Sequence, residues 1–307
     1  MARRDSVITW LLDSDPAIRW QVMRDLTGES AGKVATERAR VVREGWGAQL
    51  LDQQRPDGQW GDGAAVPFWW SNMYTLVFLR DLGVDPGDRR VRGAIERVRD
   101  NVTWGPYFGD SPFFDGEVEP CINGRVVALG AYFGERRDRL VDRLLGEQLA
   151  DGGWNCEAEN GSVRSSFHTT IDVLDGLIEF EEATGGSAAV AEARRSGEQY
   201  LLERSLFRRK STGEVVDPAY LDFAFPYYWR YDVLRALDYF RRTGADPDPR
   251  MDEAVEVVRS KRQPDGRWLL DRIYPGRVHF DLEDGVGEPS RWNTLRARRV
   301  LDWWDRK

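Results

Sequence analysis

The chain has 307 residues, 41% hydrophobic and 31% charged, with a formal net charge of −8; that is enough apolar material for a large core and the wrong sign for a nucleic-acid binder. Two cysteines exclude a disulfide framework and make a reducing cytoplasm the expected compartment. No run of about 18 apolar residues exists, so no spanning helix is expected, and the apolar stretch from Val7 to Leu12 is too short for a signal segment.

Asp15 and Pro16 open a helix through 18–26 that ends near Gly28. An amphipathic stretch, 36–53, runs into Gln54-Arg-Pro-Asp-Gly-Gln-Trp60. Residues 68–79 read as a helix apolar almost all round, stopped by Gly83 and Pro86; such a helix is buried on every side. The alternation then repeats. Polar 88–101 leads through a loop carrying Trp104, Phe113 and Phe114 to apolar 121–133. Polar 138–148 leads through Gln148-Leu-Ala-Asp-Gly-Gly-Trp154 to apolar 167–180. Polar 188–202 is followed by a loop without tryptophan, 206–216, and an aromatic-rich buried segment, 225–240. Polar 251–262 leads through Arg262-Gln-Pro-Asp-Gly-Arg-Trp268 to a last helix, 290–304. Strand signals are nearly absent.

The three Asp-Gly loops are one repeated device: a helix stop, a turn in which glycine takes positive φ, and a tryptophan plug. The segments 20–26, 171–177 and 231–237 share an apolar template, with weaker copies at 73–79, 124–130 and 293–299. Six buried helices roughly fifty residues apart, alternating with amphipathic ones, predict stacked units. The expected fold is all-α, a single α/α toroid over 1–307 of about six helical hairpins, with 1–30 as an N-terminal hairpin and 31–307 as the repeats. An open α-solenoid is the alternative.

With these motifs the chain resembles the prenyltransferase and squalene/terpene cyclase superfamily, whose α/α barrels carry Gln-x-x-x-Gly-x-Trp repeats. The resemblance implies an enzyme acting on an isoprenoid or other lipophilic small molecule in an aromatic-lined central cavity, with peripheral membrane contact as a route to that substrate. Two family signatures are missing. The Asp-x-Asp-Asp acid of type II cyclases is absent, its nearest counterpart being Asp281-Leu-Glu-Asp284, and so is the Asp-Asp-x-x-Asp box that binds diphosphate through magnesium. Two alternatives therefore stand: a non-catalytic toroid that binds a hydrophobic ligand or a protein, and a zinc enzyme with a non-terpene substrate.

In a toroid the N-terminal ends of the inner helices ring one mouth. One turn before the shared template stand Trp70, Cys121, His168 and Tyr228, and Cys156 precedes the same helix as His168. Cys121, Cys156 and His168 with an open fourth position would suit zinc, and Asp172, one turn below His168, would serve as ligand, base or orienting group. Protein prenyltransferase subunits carry an Asp, Cys and His zinc site at this mouth, and the resemblance carries over to Cys121 and His168 by position. The bland reading is two small buried hydrophobes and a hydrogen-bonded core histidine. The candidate acids are Glu283 and His279 first, then Asp281, Asp284, Asp222 and Asp232; against that, the loop is a charged helix start with Ser290 as N-cap. Trp69, Trp70, Tyr74, Phe113, Phe114, Phe167, Phe223, Phe225, Tyr227, Tyr228, Trp229 and Trp292 cluster at the junctions into inner helices. They read either as a cavity wall for a lipophilic cation or as rings that fill a wide barrel.

Overall fold

Short polar side chains start the helices as the sequence suggests. Asp5, Asp15, Asp88, Ser166, Ser187, Asp232 and Ser290 each accept a backbone N–H from the first turn that follows. In the computed structural model, which describes residues 5–65 and 69–306, the chain is all-α. Six helices form an inner ring: α2 (Pro16–Asp25), α5 (Asn72–Leu82), α7 (Pro120–Phe133), α9 (Phe167–Thr184), α11 (Val233–Arg242) and α13 (Arg291–Trp304). Around them lie α1 (Ser6–Leu12), α3 (Ala31–Arg38), α4 (Gly45–Asp52), α6 (Arg89–Asn101), α8 (Asp138–Gly146), α10 (Ala188–Leu202) and α12 (Asp252–Ser260). No helix among the described residues is long and apolar enough to cross a membrane.

The ring closes. Trp20 donates its indole N–H to the Leu82 carbonyl at 2.8 Å, tying α2 to α5. From there α5 packs on α7, α7 on α9, and α11 on α13. Arg242 of α11 reaches Glu179 of α9 at 2.9 Å. The last inner helix then meets the first: α13 packs on α2, and Arg299 donates to the Gln21 side-chain oxygen at 3.1 Å. An open solenoid leaves its end helices unpaired, so the structure is an α/α toroid.

The three tryptophan loops are built alike. Trp60, Trp154 and Trp268 are fully buried, and each donates its indole N–H over 2.7 Å to a carbonyl ten residues earlier, those of Leu50, Leu144 and Val258. Their backbone N–H groups reach forward to Asn72, Thr170 and Thr294 in the next inner helix. Each loop thus bolts an outer helix to the inner helix that follows. Where the tryptophan is missing, Tyr231 fills the place and donates its hydroxyl to the Leu206 carbonyl at 2.5 Å. The two-residue strand β1 (Trp268–Leu269) pairs antiparallel with β2 (Pro289–Ser290) and straps the last loop to α13.

Three element boundaries differ from the sequence reading. The stretch 36–53 is two helices, because Gly45 takes φ 65 and lets Asp15 accept from both Ala17 N and Trp46 N at 2.8 Å. The apolar helix expected over 68–79 starts at Asn72, and Phe68 lies outside the described residues. The segment 225–240 is helical only from Val233, since Pro226 has no N–H to give and Asp232 caps the helix.

Candidate functional site

The close pairing of α7 and α9 places the thiols. A Cβ on Gly176 would stand 2.3 Å from the Gly124 carbonyl oxygen, and one on Gly124 would stand 2.6 Å from that of Asp172. Only glycine lets two helices touch backbone to backbone in this way. The start of α7 therefore lies against the loop that enters α9. Cys121 and Cys156 bring their sulfurs to 2.8 Å, and Glu119 Oε2 lies 3.4 Å from the Cys121 sulfur. The Thr169 hydroxyl donates to the Cys156 sulfur at 3.5 Å. The ligand atoms of Glu119, Cys121 and Cys156 all lie within 4.8 Å of one another. The hydrogen bond to Cys156, then burial, push the Cys121 thiol well above its usual range.

His168 does not join them. Its Nδ1 accepts the Tyr231 N–H at 2.9 Å, and its ring stands edge-on to Tyr220 and Trp229. With Nδ1 occupied as an acceptor, the ring is the Nε2–H tautomer, and burial, helped by Arg230, lowers its pKa to about 4. Glu119 stands in the expected place of the histidine. The sequence carried the signal as Glu119-Pro-Cys121, an acid two residues before a thiol.

Beside the thiols the mouth is aromatic and nearly full. Trp69 stacks on Tyr228 at 4.3 Å, and Tyr74 meets both rings edge-on. Arg125 fixes this wall by donating to the Tyr228 carbonyl at 2.6 Å. Room for about 40 Å³ remains between α5, the 225–228 loop and residues 278–282, space for a water or two rather than an organic ligand. Phe225, which lines this pocket, lies flat on Trp292 at 4.2 Å. Trp70 is covered by Arg277, and Trp229 by Arg230. Phe113 and Phe114 pack under Trp104, and Phe167 packs among Tyr200, Tyr220 and Tyr231, all in the core rather than at the mouth.

The candidate acids are tied into the scaffold. Glu283 accepts from Ser290 Oγ at 2.6 Å and from the Arg291 and Trp292 N–H groups, so it caps α13; burial raises its pKa to about 7. His279 is clamped between the Thr75 hydroxyl at 2.8 Å and Gln53 Oε1 at 2.5 Å, and burial lowers it to about 4. Asp222 pairs with Arg272, and Asp232 caps α11. Asp172 is fully buried, with Oδ1 accepting from Arg125 and Arg235 at 2.6 Å each.

The chain is similar to a solved type II terpene cyclase. That protein is MstE from Scytonema in its apo form, 18% identical, with 93% of this chain and 85% of that one covered and a TM-score of 0.45. A variant of the same cyclase in complex with geranylgeranyl dihydroxybenzoate, its substrate, gives 18% identity over 93% and 84% of the two chains and a TM-score of 0.40. No family model matches the chain, and no curated protein matches its sequence.

The axis of the ring differs from the expected aromatic chamber. Below the 225–228 loop lies a cavity of about 510 Å³, lined mainly by charged side chains of the inner helices. The helices are apolar where they face their neighbours and ionic where they face one another across the axis. Arg80 pairs with Asp81, Arg235 with Asp175, and Arg299 with Asp238. Despite burial, Arg299 and Arg241 hold the Asp238 carboxyl far below its ordinary pKa.

Proposed function

We propose that the chain is a metal-dependent enzyme whose ion lies between Cys121, Cys156 and Glu119, and whose substrate is a lipophilic small molecule laid against Trp69, Tyr74 and Tyr228. One observation carries this reading: Glu119 and Cys121 from the start of α7 and Cys156 from the loop before α9 bring a carboxylate and two thiols within 4.8 Å of one another at the mouth. The donor set fits zinc, for which two thiolates and a carboxylate are three ligands with a fourth position open. Sulfurs sharing one zinc stand about 3.8 Å apart, so the 2.8 Å pair would part by about 1 Å to admit it. When bound, zinc supplies Lewis-acid activation of a water, thiol or substrate oxygen.

The surrounding residues serve this arrangement. Thr169 orients the Cys156 sulfur through its hydroxyl. Arg125, held by Asp172, sets the Tyr228 carbonyl and with it the aromatic wall. Burial, opposed by Arg125 and aided by Asp172, keeps the Tyr74 phenol protonated, a donor to whatever binds beside the thiols. Because the mouth is filled by its own rings, the substrate lies across the wall rather than inside the barrel.

That same filling favours a second reading, a non-catalytic toroid that binds a partner. Elemental analysis of untagged protein separates the two. About one zinc per chain, lost in Cys121→Ala and weakened in Glu119→Gln, supports the enzyme. A chain that holds no metal as purified and takes none up from added zinc leaves the non-catalytic toroid.

A further inference from the structure

The chain has two cysteines, and the fold brings both to one place. Thirty-five residues separate Cys121 from Cys156, with α8 and the Trp154 loop between them. Their sulfur separation of 2.8 Å falls between two bonded arrangements. A disulfide needs about 2.05 Å, a closure of about 0.8 Å. A shared zinc needs about 3.8 Å, a parting of about 1 Å. Both movements are small, and the two outcomes exclude each other, because a disulfide leaves no thiolate to bind a metal.

The two segments are held differently. Cys121 belongs to the first turn of α7, which the contact of Gly124 with Gly176 fixes against α9. Cys156 opens a three-residue 3-10 helix, Cys156–Ala158, in the loop between Trp154 and Ser166. Its sulfur meets the Thr169 hydroxyl at 3.5 Å and its N–H meets the same oxygen at 3.4 Å, both long for hydrogen bonds. A turn of the Cys156 side chain therefore covers either movement and leaves α7 in place. Both cysteines are half-buried rather than sealed, which leaves them open to a small reagent.

We propose that Cys121 and Cys156 are a reversible redox pair that exchanges with low-molecular-weight disulfides, and that closing the bond empties the metal site. Control of the metal rests on the metal reading above; the bond itself does not. One cysteine thiol attacks the small disulfide, forms a mixed disulfide and releases one small thiol. The other cysteine attacks the mixed bond and releases the second. The pair loses two electrons and two protons, and both leave on the two small thiols formed. From the metal-bound dithiolate the two protons come from water instead, and the ion is set free as Zn²⁺.

The test incubates the reduced, intact chain with excess oxidised glutathione, once as prepared and once after loading with zinc. Free thiols are counted by alkylation and mass spectrometry, and zinc is measured after desalting. In the expected result both thiols disappear together, the mass falls by two hydrogens and no glutathione adduct remains. Excess reduced glutathione restores both thiols, and zinc held by the reduced chain is lost on oxidation. Thiols that survive oxidised glutathione, a lasting adduct, or a bond that reduced glutathione does not reopen would each overturn the redox pair. Zinc that stays on the oxidised chain overturns the control of the metal. A reduced chain that oxidises as expected but takes up no zinc sinks the metal reading, and the control with it, but not the redox pair.

Discussion

Substituting Gly176 with alanine attacks the contact that places the thiols. The new Cβ would stand 2.3 Å from the Gly124 carbonyl oxygen, 3.0 Å from its carbon and 3.1 Å from its Cα, where ordinary contact begins at 3.4 Å. All three atoms are backbone, so no rotamer relieves the overlap and α7 must draw back from α9 by about 1 Å. Overpacking of this kind costs about 1–3 kcal/mol, partly offset by the better helix propensity of alanine, about 1 kcal/mol. At an unfolding entropy of about 2.1 cal/mol/K per residue, the net loss of about 0–2 kcal/mol lowers Tm by no more than roughly 3 °C. The more specific result is at the mouth: the sulfurs of Cys121 and Cys156 separate, and phenylarsine oxide, which bridges neighbouring thiols, binds more weakly. Gly146→Ala at the end of α8, where a Cβ meets nothing within 4 Å, is the control and leaves both readings unchanged. Thermal unfolding and arsenical titration of both variants decide the matter. A Gly176→Ala protein with wild-type Tm and wild-type arsenical affinity refutes the backbone contact as the origin of the thiol pair.

Asp172→Asn leaves Arg125 and Arg235 buried against a neutral amide, and should cost about 3–5 kcal/mol, read as a Tm lower by several degrees; an unchanged Tm would return Asp172 to the list of catalytic candidates. Trp154→Phe removes the donor to the Leu144 carbonyl and leaves space in the core, for a loss of about 2–4 kcal/mol in chemical denaturation. A loss below about 1 kcal/mol would mean that the loop does not bolt the helices together. Glu283 has its pKa raised from 4.5 to about 7 by burial, so the folded chain keeps a proton that the unfolded chain gives up. Its contribution is therefore fully present below pH 4.5 and is lost as pH rises through about 7, and Glu283→Gln should flatten the fall in stability across that window. Equal slopes of Tm against pH in the two proteins would count against it.

The fold was legible because its punctuation is local. A tryptophan that bonds ten residues back and one helix forward leaves the same seven-residue signature each time, and the apolar template marks every inner helix. The character of the axis was not legible. In α11, Arg235, Asp238 and Arg242 fall on one stripe, which in sequence looks like a solvated face; nothing in periodicity distinguishes bulk water from a half-open cavity at the end of the ring. Of the site, the mouth positions brought Cys121 and Cys156 together, since both sit where chain enters an inner helix. His168 shares that position but turns away, because the Tyr231 N–H has no helical partner and takes Nδ1. Glu283 and His279 were readable as polar groups near the mouth, but their partners Ser290, Thr75 and Gln53 come from other segments, and those partners decide their roles.

Asp172 gives one oxygen to two arginines and has no hydrogen-bond partner at the other. Arg125 on one side holds the Tyr228 carbonyl at the mouth, and Arg235 on the other lines the axial cavity. A shared acceptor makes the two ends of the barrel a single electrical unit. A substitution that removed Arg235 would leave more of the Asp172 charge to Arg125, and so reach the aromatic wall at the other end of the barrel.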